Sequence, residues 1–232
     1  MKIDFEKYST LGNNFIIANY SANFDEKLIN EMCNEKMGIG ADGLILAKNN
    51  PAEMIYYNKD GSLAKLCGNG LRCVAHYLHK NNWINKEDYI LVGGLKYKSI
   101  IKDDVITVYL IKTDEVRNYR DDKNNSYFVN MIVPHVVFTN PVSNKEQVAL
   151  KIREIYAYEN ANVNFYESGM VTTYENGVGF TSSCGTGAAS TAFVLGKNLH
   201  QKNIYGEMDV IVDKYISLRS KVKCIFKGVY YA

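Results

Sequence analysis

Hydrophobic and polar positions alternate along most of the chain, which is the period of half-buried β-strands. Helical periodicity is rarer. It predicts amphipathic helices over residues 25–37 and 147–156 and apolar helices over 71–81 and 188–197. The strand-like segments are rich in Ile, Val, Tyr and Phe and are bounded by turn residues: IDFEKYS, FIIANY, GLILAKN, EMIYYNK, YILVGG, YKSIIKDDVITVYLI, SYFVNMIVPHVVF, ANVNFYES, GMVTTYE and DVIVDKYISLRSKVKCIFKGVYY. These patterns predict an α+β protein in which strands dominate.

A short phrase occurs twice, half a chain length apart. CGNGLRCVAHYL begins at Cys67 and CGTGAASTAFVL begins at Cys184. The two share their Cys, both Gly positions, an Ala and a Leu, so the repeat predicts two similar halves, each a sheet wrapped on a central helix. We expect the halves to span residues 1–115 and 116–232, divided in the polar stretch 113–125, with a C-terminal strand that can return to the first half.

Composition narrows the function classes. The 232 residues carry a net charge of +2 without a dominant basic stripe, so we expect no nucleic-acid partner. Apolar runs stay short of the ~18 residues that a membrane span needs, and MKIDFEKYST lacks the apolar stretch of a signal peptide. We therefore expect a cytoplasmic protein whose partner is a small molecule and not a membrane; a homodimer is compatible with the sequence.

The five cysteines form an odd set without metal-type CxxC spacing, which favours free thiols in a reducing compartment. Two of them, Cys67 and Cys184, stand directly before a Gly-x-Gly turn that opens a predicted helix. A helix N-terminus has unpaired N–H groups and a partial positive charge, so it can bind a carboxylate and favours the thiolate form of a cysteine. Taken singly, each turn reads more simply as a packing turn beside a buried cysteine.

The pair points to a more specific reaction. Two such turns facing one substrate would place a sulfur on each side of its α-carbon, which suits inversion by two bases. One thiolate removes the α-proton and the opposite thiol delivers another, and the reverse reaction exchanges their roles. N–H groups aimed at the carboxylate would stabilise the charge that develops there.

Several further segments, in order, resemble the diaminopimelate epimerase family. TLGNNF, GIGADG, YNKDGSLAKLCGNGLRC, PHVVF, NVNF and YENGVGFTSSCGTGAAS are similar to the family's motifs and span nearly the whole chain. The resemblance implies two pseudo-symmetric halves, each a β-barrel-like sheet around a central α-helix. It also implies two-base racemisation that uses neither pyridoxal phosphate nor a metal.

Residue roles follow from this resemblance by position. It implies that Cys67 and Cys184 are the thiol pair and that His135 and Glu175 are the polar partners that tune the sulfurs. Backbone groups that would hold the α-carboxylate are those of Gly68, Asn69, Gly185 and Thr186. Side chains that would hold other polar groups of the substrate are those of Asn13, Asn58 and Asn162.

Three positions depart from the family pattern in the part that would bind the far end of the substrate. Val133 replaces an Asn, Asn176 replaces an Arg, and Gly43 stands where the family usually carries Gln. A distal carboxylate without its partners loses on the order of 2–5 kcal/mol. We therefore predict a racemase with altered specificity, with histidine as the first choice of substrate and diaminopimelate, epimerised from LL to meso, as the alternative.

Other classes remain open at the level of sequence. A cysteine-dependent hydrolase or transferase would need one nucleophile, such as Cys184 with His135, and would leave the second cysteine turn without a role. An isomerase branch with the same duplicated fold uses carboxylate and imidazole in place of thiols, which the two cysteines disfavour. A non-catalytic amino-acid-binding protein could keep the pocket without the chemistry.

Overall fold

The computed structural model describes residues 1–20, 24–155, 160–176, 178–181 and 183–232. Its helices are α1 (Glu26–Cys33), α2 (Gly68–Lys80), α3 (Lys145–Ile155) and α4 (Gly185–Leu195), with a 3-10 turn over Thr113–Glu115. Its strands are β1 (Lys2–Thr10), β2 (Asn13–Asn19), β3 (Gly43–Lys48), β4 (Glu53–Asn58), β5 (Leu63–Ala64), β6 (Glu87–Val92), β7 (Leu95–Lys102), β8 (Val105–Lys112), β9 (Arg117–Asp121), β10 (Ser126–Met131), β11 (Val133–Phe138), β12 (Asn162–Glu167), β13 (Met170–Glu175), β14 (Gly179–Thr181), β15 (Leu199–Asn203), β16 (Gly206–Val212), β17 (Tyr215–Lys221) and β18 (Lys223–Tyr231).

The chain divides into two compact units. Unit 1 comprises Met1–Val108 with Ser220–Ala232, and unit 2 comprises Tyr109–Arg219. The sequence placed a single boundary at 115/116, whereas the division here falls within β8 and near the end of β17. The last strand belongs to unit 1 because β18 pairs antiparallel with β1 along nearly its whole length.

In unit 1 the sheet runs β8-β7-β6-β4-β3-β2-β1-β18, with β5 on β4. Alternate residues of a strand point to opposite faces. Ile16 and Leu44 join a buried cluster with Ile29 and Met32 of α1, so one face is covered by α1. The other face holds α2, which contacts strands from β7 at one side to β1 at the other, so the sheet curls around this helix.

Unit 2 repeats this plan. A six-stranded sheet runs β14-β13-β12-β11-β10-β9. Phe138 and Phe165 stack at 5.3 Å between ring centroids and pack with Ala149 and Ile152 of α3 on one face. On its other side lies α4, which contacts β10 to β13 and also β15 and β16. Most of the side chains of α4 are buried, as expected for a helix surrounded by strands.

The predicted fold class is confirmed: two α+β halves, each with a sheet around one central helix. The predicted helix over 25–37 ends early, at Cys33, because the Oδ1 atom of Asn34 accepts N–H groups of Lys36 and Met37, both at 2.9 Å. Both cysteine helices begin at the Gly after the cysteine, three residues earlier than predicted. The fourth helix covers Lys145–Ile155, and position 156 lies outside the described residues.

Three long strand-like segments contain more than one strand. Residues 97–111 break at Asp103 (φ 55°) between β7 and β8, and residues 126–138 break at Ile132 (φ 75°) between β10 and β11. Residues 209–231 supply β16, β17 and β18. The polar stretch 113–125, expected to separate the halves, instead holds β9, which pairs with β10 in a hairpin.

Candidate active site

Cys67 is the N-cap residue of α2. Its backbone is extended (φ −126°, ψ 116°), and its Sγ atom accepts a hydrogen bond from the backbone N–H of Gly70 at 3.4 Å. Gly68 and Asn69 occupy the first turn of the helix. The sulfur therefore lies at the positive end of the helix dipole, where negative charge on it is stabilised.

Cys184 holds the same position in unit 2. It is the N-cap residue of α4 with nearly the same backbone angles (φ −113°, ψ 107°). Its Sγ atom lies 3.6 Å from the Oγ1 atom of Thr186. Gly185 and Thr186 form the first turn of α4. Both cysteines are partly exposed. The repeat in sequence is therefore a repeat in backbone position, while the capping hydrogen bond to the sulfur is made by Cys67 and not by Cys184.

The second glycine of each turn is required for packing rather than for the approach of a ligand. A Cβ atom on Gly187 would lie 2.2 Å from Asn164 Oδ1 and 2.7 Å from Thr173 Oγ1. One on Gly70 would lie 3.1 Å from Met54 Cε and 3.2 Å from Ile45 Cδ1. These glycines let each helix press its first turn against the sheet.

In unit 1 a chain of hydrogen bonds joins Arg72 to two predicted substrate-binding residues. Nη2 of Arg72 donates to Asn69 Oδ1, and Nδ2 of Asn69 donates to Asn13 Oδ1. A guanidinium has only donors, so the Asn69 amide must turn its Oδ1 atom towards Arg72. Its Nδ2 atom then points to Asn13, which must present its own Oδ1 atom as the acceptor. The Nδ2 atom of Asn13 takes no part in this series of hydrogen bonds.

Arg72 is fully buried. Among the described residues its Nε and Nη1 atoms have no hydrogen-bond partner. Burial lowers the pKa of Arg72 to about 10, and nearby Cys73 and Cys67 oppose that shift. The guanidinium thus stays charged at neutral pH and is a cation in the electrostatic neighbourhood of Cys67.

Gly43, the first residue of β3, pairs with Asn58, the last residue of β4, at one end of the unit 1 sheet. Asn58 Nδ2 donates to Ser62 Oγ at 3.0 Å, so its amide closes the turn after β4. A Cβ atom on Gly43 would lie 2.5 Å from Tyr56 Cε2 and 2.9 Å from the Tyr56 hydroxyl. The backbone O atom of Tyr57 lies still closer, 2.3 Å from the same Cβ position. A glutamine could therefore not be placed at position 43 without a shift of both the backbone and the Tyr56 ring.

In unit 2 His135 is fully buried and its protonation is fixed by Asn164. Asn164 Oδ1 accepts from the Thr173 hydroxyl at 2.9 Å, and its Nδ2 atom donates to Val136 O and to His135 Nδ1, both at 3.1 Å. Burial lowers the pKa of His135 to about 3, although the Asn164 hydrogen bond opposes this. The ring is neutral, carries its proton on Nε2, and Nε2 has no partner among the described residues.

Strand register places three predicted residues on one face. His135 pairs with Asn162 across parallel β11 and β12. Val163 pairs with Tyr174, so Asn162 is opposite Glu175. This is the face that carries Asn164 and packs against Gly187 of α4. Glu175 Oε1 accepts a hydrogen bond from the Thr181 hydroxyl.

At the same end of this sheet Asn176 is held between two partners. Its backbone N–H donates to Asn162 Oδ1 at 2.8 Å, and its Oδ1 atom accepts from Nη2 of Arg153. The Arg153 guanidinium carbon lies 6.0 Å from the Tyr174 ring centroid. Val133 follows Ile132 at the start of β11.

Sequence reasoning missed Arg72, Tyr56 and Arg153. Arg72 belongs to the quoted phrase CGNGLRC, and a charged residue on an otherwise apolar helix face was a signal that could have found it. No sequence pattern marked Tyr56 or Arg153, because these residues reach the candidate residues only through strand register and helix packing.

The remaining cysteines are unlike the pair. Burial raises the pKa of Cys33 to about 12, and burial also raises the pKa of Cys73. Burial and the carboxylate of Glu6 raise the pKa of Cys224. Within the described ranges no group of three or more His, Cys, Asp and Glu side chains could hold a metal ion. The helices of the described chain are all too short or too polar to cross a membrane.

Comparisons with known proteins first define the structural class. The fold is similar to the solved structure of a predicted epimerase from Pseudomonas aeruginosa, with a TM-score of 0.73, 11% identity and coverage of 99% of both chains. At this identity the likeness shows the fold alone. It places the chain in a class of α+β proteins built from two units, each with a sheet around a central helix.

The sequence comparisons then define the family. The diaminopimelate epimerase family model matches residues 5–113. The chain is 36% identical over 172 residues to diaminopimelate epimerase of Flavobacterium psychrophilum, covering 68% of this chain and 66% of that one. It is 37% identical over 168 residues to diaminopimelate epimerase of Campylobacter jejuni, and this match covers 69% of this chain and 66% of that one. The match spans just under two thirds of these relatives' length. The chain belongs to the diaminopimelate epimerase family, a family of isomerases.

Proposed function

We propose that this protein is an epimerase that inverts the α-carbon of an amino acid with Cys67 and Cys184 as its acid–base pair. The observation that carries the proposal is the repeated geometry of the two cysteines, each partly exposed and each the N-cap of a buried central helix. Family membership supports the reaction class. A hydrolase would use one such cysteine and leave the other without a role.

The chemistry follows from the helix N-termini. A thiolate takes the α-proton, and the electron pair moves into the carboxylate, whose charge the N–H groups of the first helical turn stabilise. The thiol of the other cysteine then gives its proton to the opposite face of the α-carbon. The mechanism requires a single substrate within reach of a thiol from each unit.

His135 enters the proposal as a neutral donor. The family resemblance implies that it tunes a sulfur. With its proton fixed on Nε2, it can donate one hydrogen bond to a thiolate or a carboxylate without supplying a positive charge. Glu175 contributes a carboxylate on the same face, suited to accept from an ammonium group.

For the substrate, we propose LL-diaminopimelate, with the meso form as product. The relatives described above are diaminopimelate epimerases, and nothing among them supports histidine, the first choice from sequence. The prediction of altered specificity depended on the loss of an arginine at position 176. Arg153 now supplies a guanidinium beside that position, which weakens the argument for a different substrate.

The test is α-proton exchange in deuterated water. LL-diaminopimelate and L-histidine are incubated separately with the wild-type protein, and loss of the α-proton signal is followed by proton NMR, with product stereochemistry checked by chiral chromatography. The proposal expects exchange and conversion with diaminopimelate. Exchange with histidine alone would overturn the substrate, and hydrolytic activity without exchange would overturn the reaction class.

A further inference from the structure

We infer that the hydroxyl of Tyr56 is a substrate-binding group that donates a hydrogen bond to a carboxylate of the substrate. The inference deepens the proposed function and depends on it. It concerns the face of the unit 1 sheet that carries α2, where three asparagines assigned to substrate binding, Asn13, Asn58 and Asn69, are found. No motif in the sequence marks Tyr56, so its position in the fold is what points to this role.

Tyr56 points to the α2 face of the sheet. Alternate residues of a strand share a face, so Met54, Tyr56 and Asn58 of β4 lie on the same side. This is the α2 side, because a Cβ atom on Gly70 in the first turn of α2 would lie 3.1 Å from Met54 Cε. Tyr57, the next residue of β4, packs on the opposite face against the buried cluster that includes the apolar side chains of α1. Two adjacent tyrosines therefore lie on opposite sides of one sheet.

The hydroxyl of Tyr56 lies over β3, beside the position that a side chain on Gly43 would occupy. A Cβ atom on Gly43 would lie 2.5 Å from Tyr56 Cε2 and 2.9 Å from the Tyr56 hydroxyl oxygen. Both distances are shorter than real Cβ contacts, so the phenol can reach across β3 because residue 43 is a glycine. Gly43 pairs with Asn58 of β4 on one side and with Phe15 of β2 on the other. The hydroxyl is therefore placed at the strand ends that carry Asn58 and Asn13.

The tyrosine ring is held in place by its surroundings. Tyr56 is only 7% exposed. Its ring meets the ring of Phe15 edge to face, with 5.8 Å between the ring centroids. Phe15 is itself buried and lies two residues after Asn13, on the same face of β2. Burial and this ring contact preorganise the hydroxyl, so that little ordering entropy is lost when it binds a ligand.

The polar groups near the hydroxyl are mainly donors. Oδ1 of Asn13 accepts from Nδ2 of Asn69, which leaves the Nδ2 atom of Asn13 on the other side of its amide. Nδ2 of Asn58 gives one N–H to Ser62 Oγ at 3.0 Å and carries a second. The O–H group of Tyr56 adds a further donor at the same strand ends. A set of donors suits an anionic acceptor, and the anionic group that every amino acid carries is a carboxylate.

The experiment compares Tyr56→Phe with the matched control Tyr57→Phe, which removes an identical hydroxyl from the other face of the sheet. Exchange of the α-proton of LL-diaminopimelate gives kcat and KM for each variant. Because a hydrogen bond to a charged group is lost, we expect Tyr56→Phe to raise KM about tenfold and to change kcat less than about threefold. Tyr57→Phe should keep the wild-type values, and thermal unfolding verifies that both variants are folded. A KM for Tyr56→Phe within about threefold of wild type, or an equal rise for Tyr57→Phe, would overturn the inference.

Calorimetric binding separates this inference from the proposed function. LL-diaminopimelate is titrated into the Cys67→Ala variant and into the Cys67→Ala, Tyr56→Phe double variant. An affinity about tenfold weaker in the double variant supports the role of Tyr56, even if the wild-type protein exchanges no α-proton and the proposed reaction fails. Equal affinities would overturn the inference while leaving the cysteine chemistry intact. Failure of diaminopimelate to bind the wild-type protein would overturn both.

Discussion

The backbone N–H of Gly70 donates a hydrogen bond to the Sγ atom of Cys67 at 3.4 Å, so this sulfur replaces the side-chain oxygen usually found at a helix N-cap. Cys184 has the same capping position with nearly the same backbone angles. A group that already accepts a hydrogen bond at the positive end of a helix is suited to hold negative charge. This is the property required of an acid–base thiol.

The two packing glycines should respond differently to alanine. Gly187→Ala brings a methyl group against the hydrogen-bonded oxygens of Asn164 and Thr173, whereas Gly70→Ala meets the flexible ends of Met54 and Ile45. We expect Gly187→Ala to lower the free energy of unfolding by about 3 kcal/mol or more and Gly70→Ala by about 1 kcal/mol. Urea denaturation measures both, and equal losses would contradict this account of the turns.

Arg72 should matter more for substrate binding than for folding. Replacing a buried cation that lacks a carboxylate partner by an apolar side chain is often neutral or stabilising. We expect Arg72→Met to leave the unfolding free energy unchanged within about 1 kcal/mol or to raise it. The same variant should raise KM about tenfold, because Asn69 and Asn13 lose their fixed orientation. Arg72→Lys keeps a cation that can only donate, so its KM should stay closer to wild type than that of Arg72→Met; a wild-type KM for Arg72→Met would contradict the orienting role.

Glu6 should make the protein sensitive to acid. Its carboxylate is buried and accepts hydrogen bonds from Lys227 at 2.7 Å and Lys80 at 2.8 Å. Burial raises its pKa, but Lys227, Lys80 and Cys224 outweigh burial and lower the pKa from 4.5 to about 2. A depressed folded-state pKa contributes stability that is present above pH 4.5 and lost as pH falls towards 2, here about 3 kcal/mol.

The measurement is the unfolding free energy from pH 7 to pH 3. Glu6→Gln should be less stable than wild type at pH 7, and its decline between pH 4.5 and 3 should be shallower. Glu35→Gln, at an exposed position without this network, is the control and should decline as wild type does. Parallel curves for Glu6→Gln and wild type would contradict the role given to this carboxylate.

His135 should remain neutral throughout the physiological range. Burial lowers its pKa to about 3, and Asn164 fixes the proton on Nε2. Nitrogen NMR of the imidazole should show the Nε2–H tautomer from pH 5 to pH 9 without titration. Asn164→Ala should remove the hydrogen bond to Nδ1, so that the ring is no longer restricted to the Nε2–H tautomer. An imidazolium signal that titrates near pH 6.5 in wild type would be the opposite result.

Much of the fold could be predicted from local pattern because strand alternation and the repeated cysteine phrase are properties of adjacent residues. The positions of Cys67 and Cys184 at helix starts follow from the glycines beside them. Arg153 could not be predicted, since it reaches Asn176 only through the packing of α3 on the sheet. The breaks at Asp103 and Ile132 were also hidden, because each is a non-glycine residue with positive φ.

The central claim is tested most directly by epimerisation of LL-diaminopimelate by the Cys67→Ala and Cys184→Ala variants, with Cys73→Ala as a buried-thiol control. Conversion to the meso isomer should fall by at least about a thousandfold in each of the first two, because each removes one of two obligatory acid–base groups. The control should stay within a few fold of wild type. If either single variant at Cys67 or Cys184 retained most of the activity, the two-thiol mechanism would be contradicted.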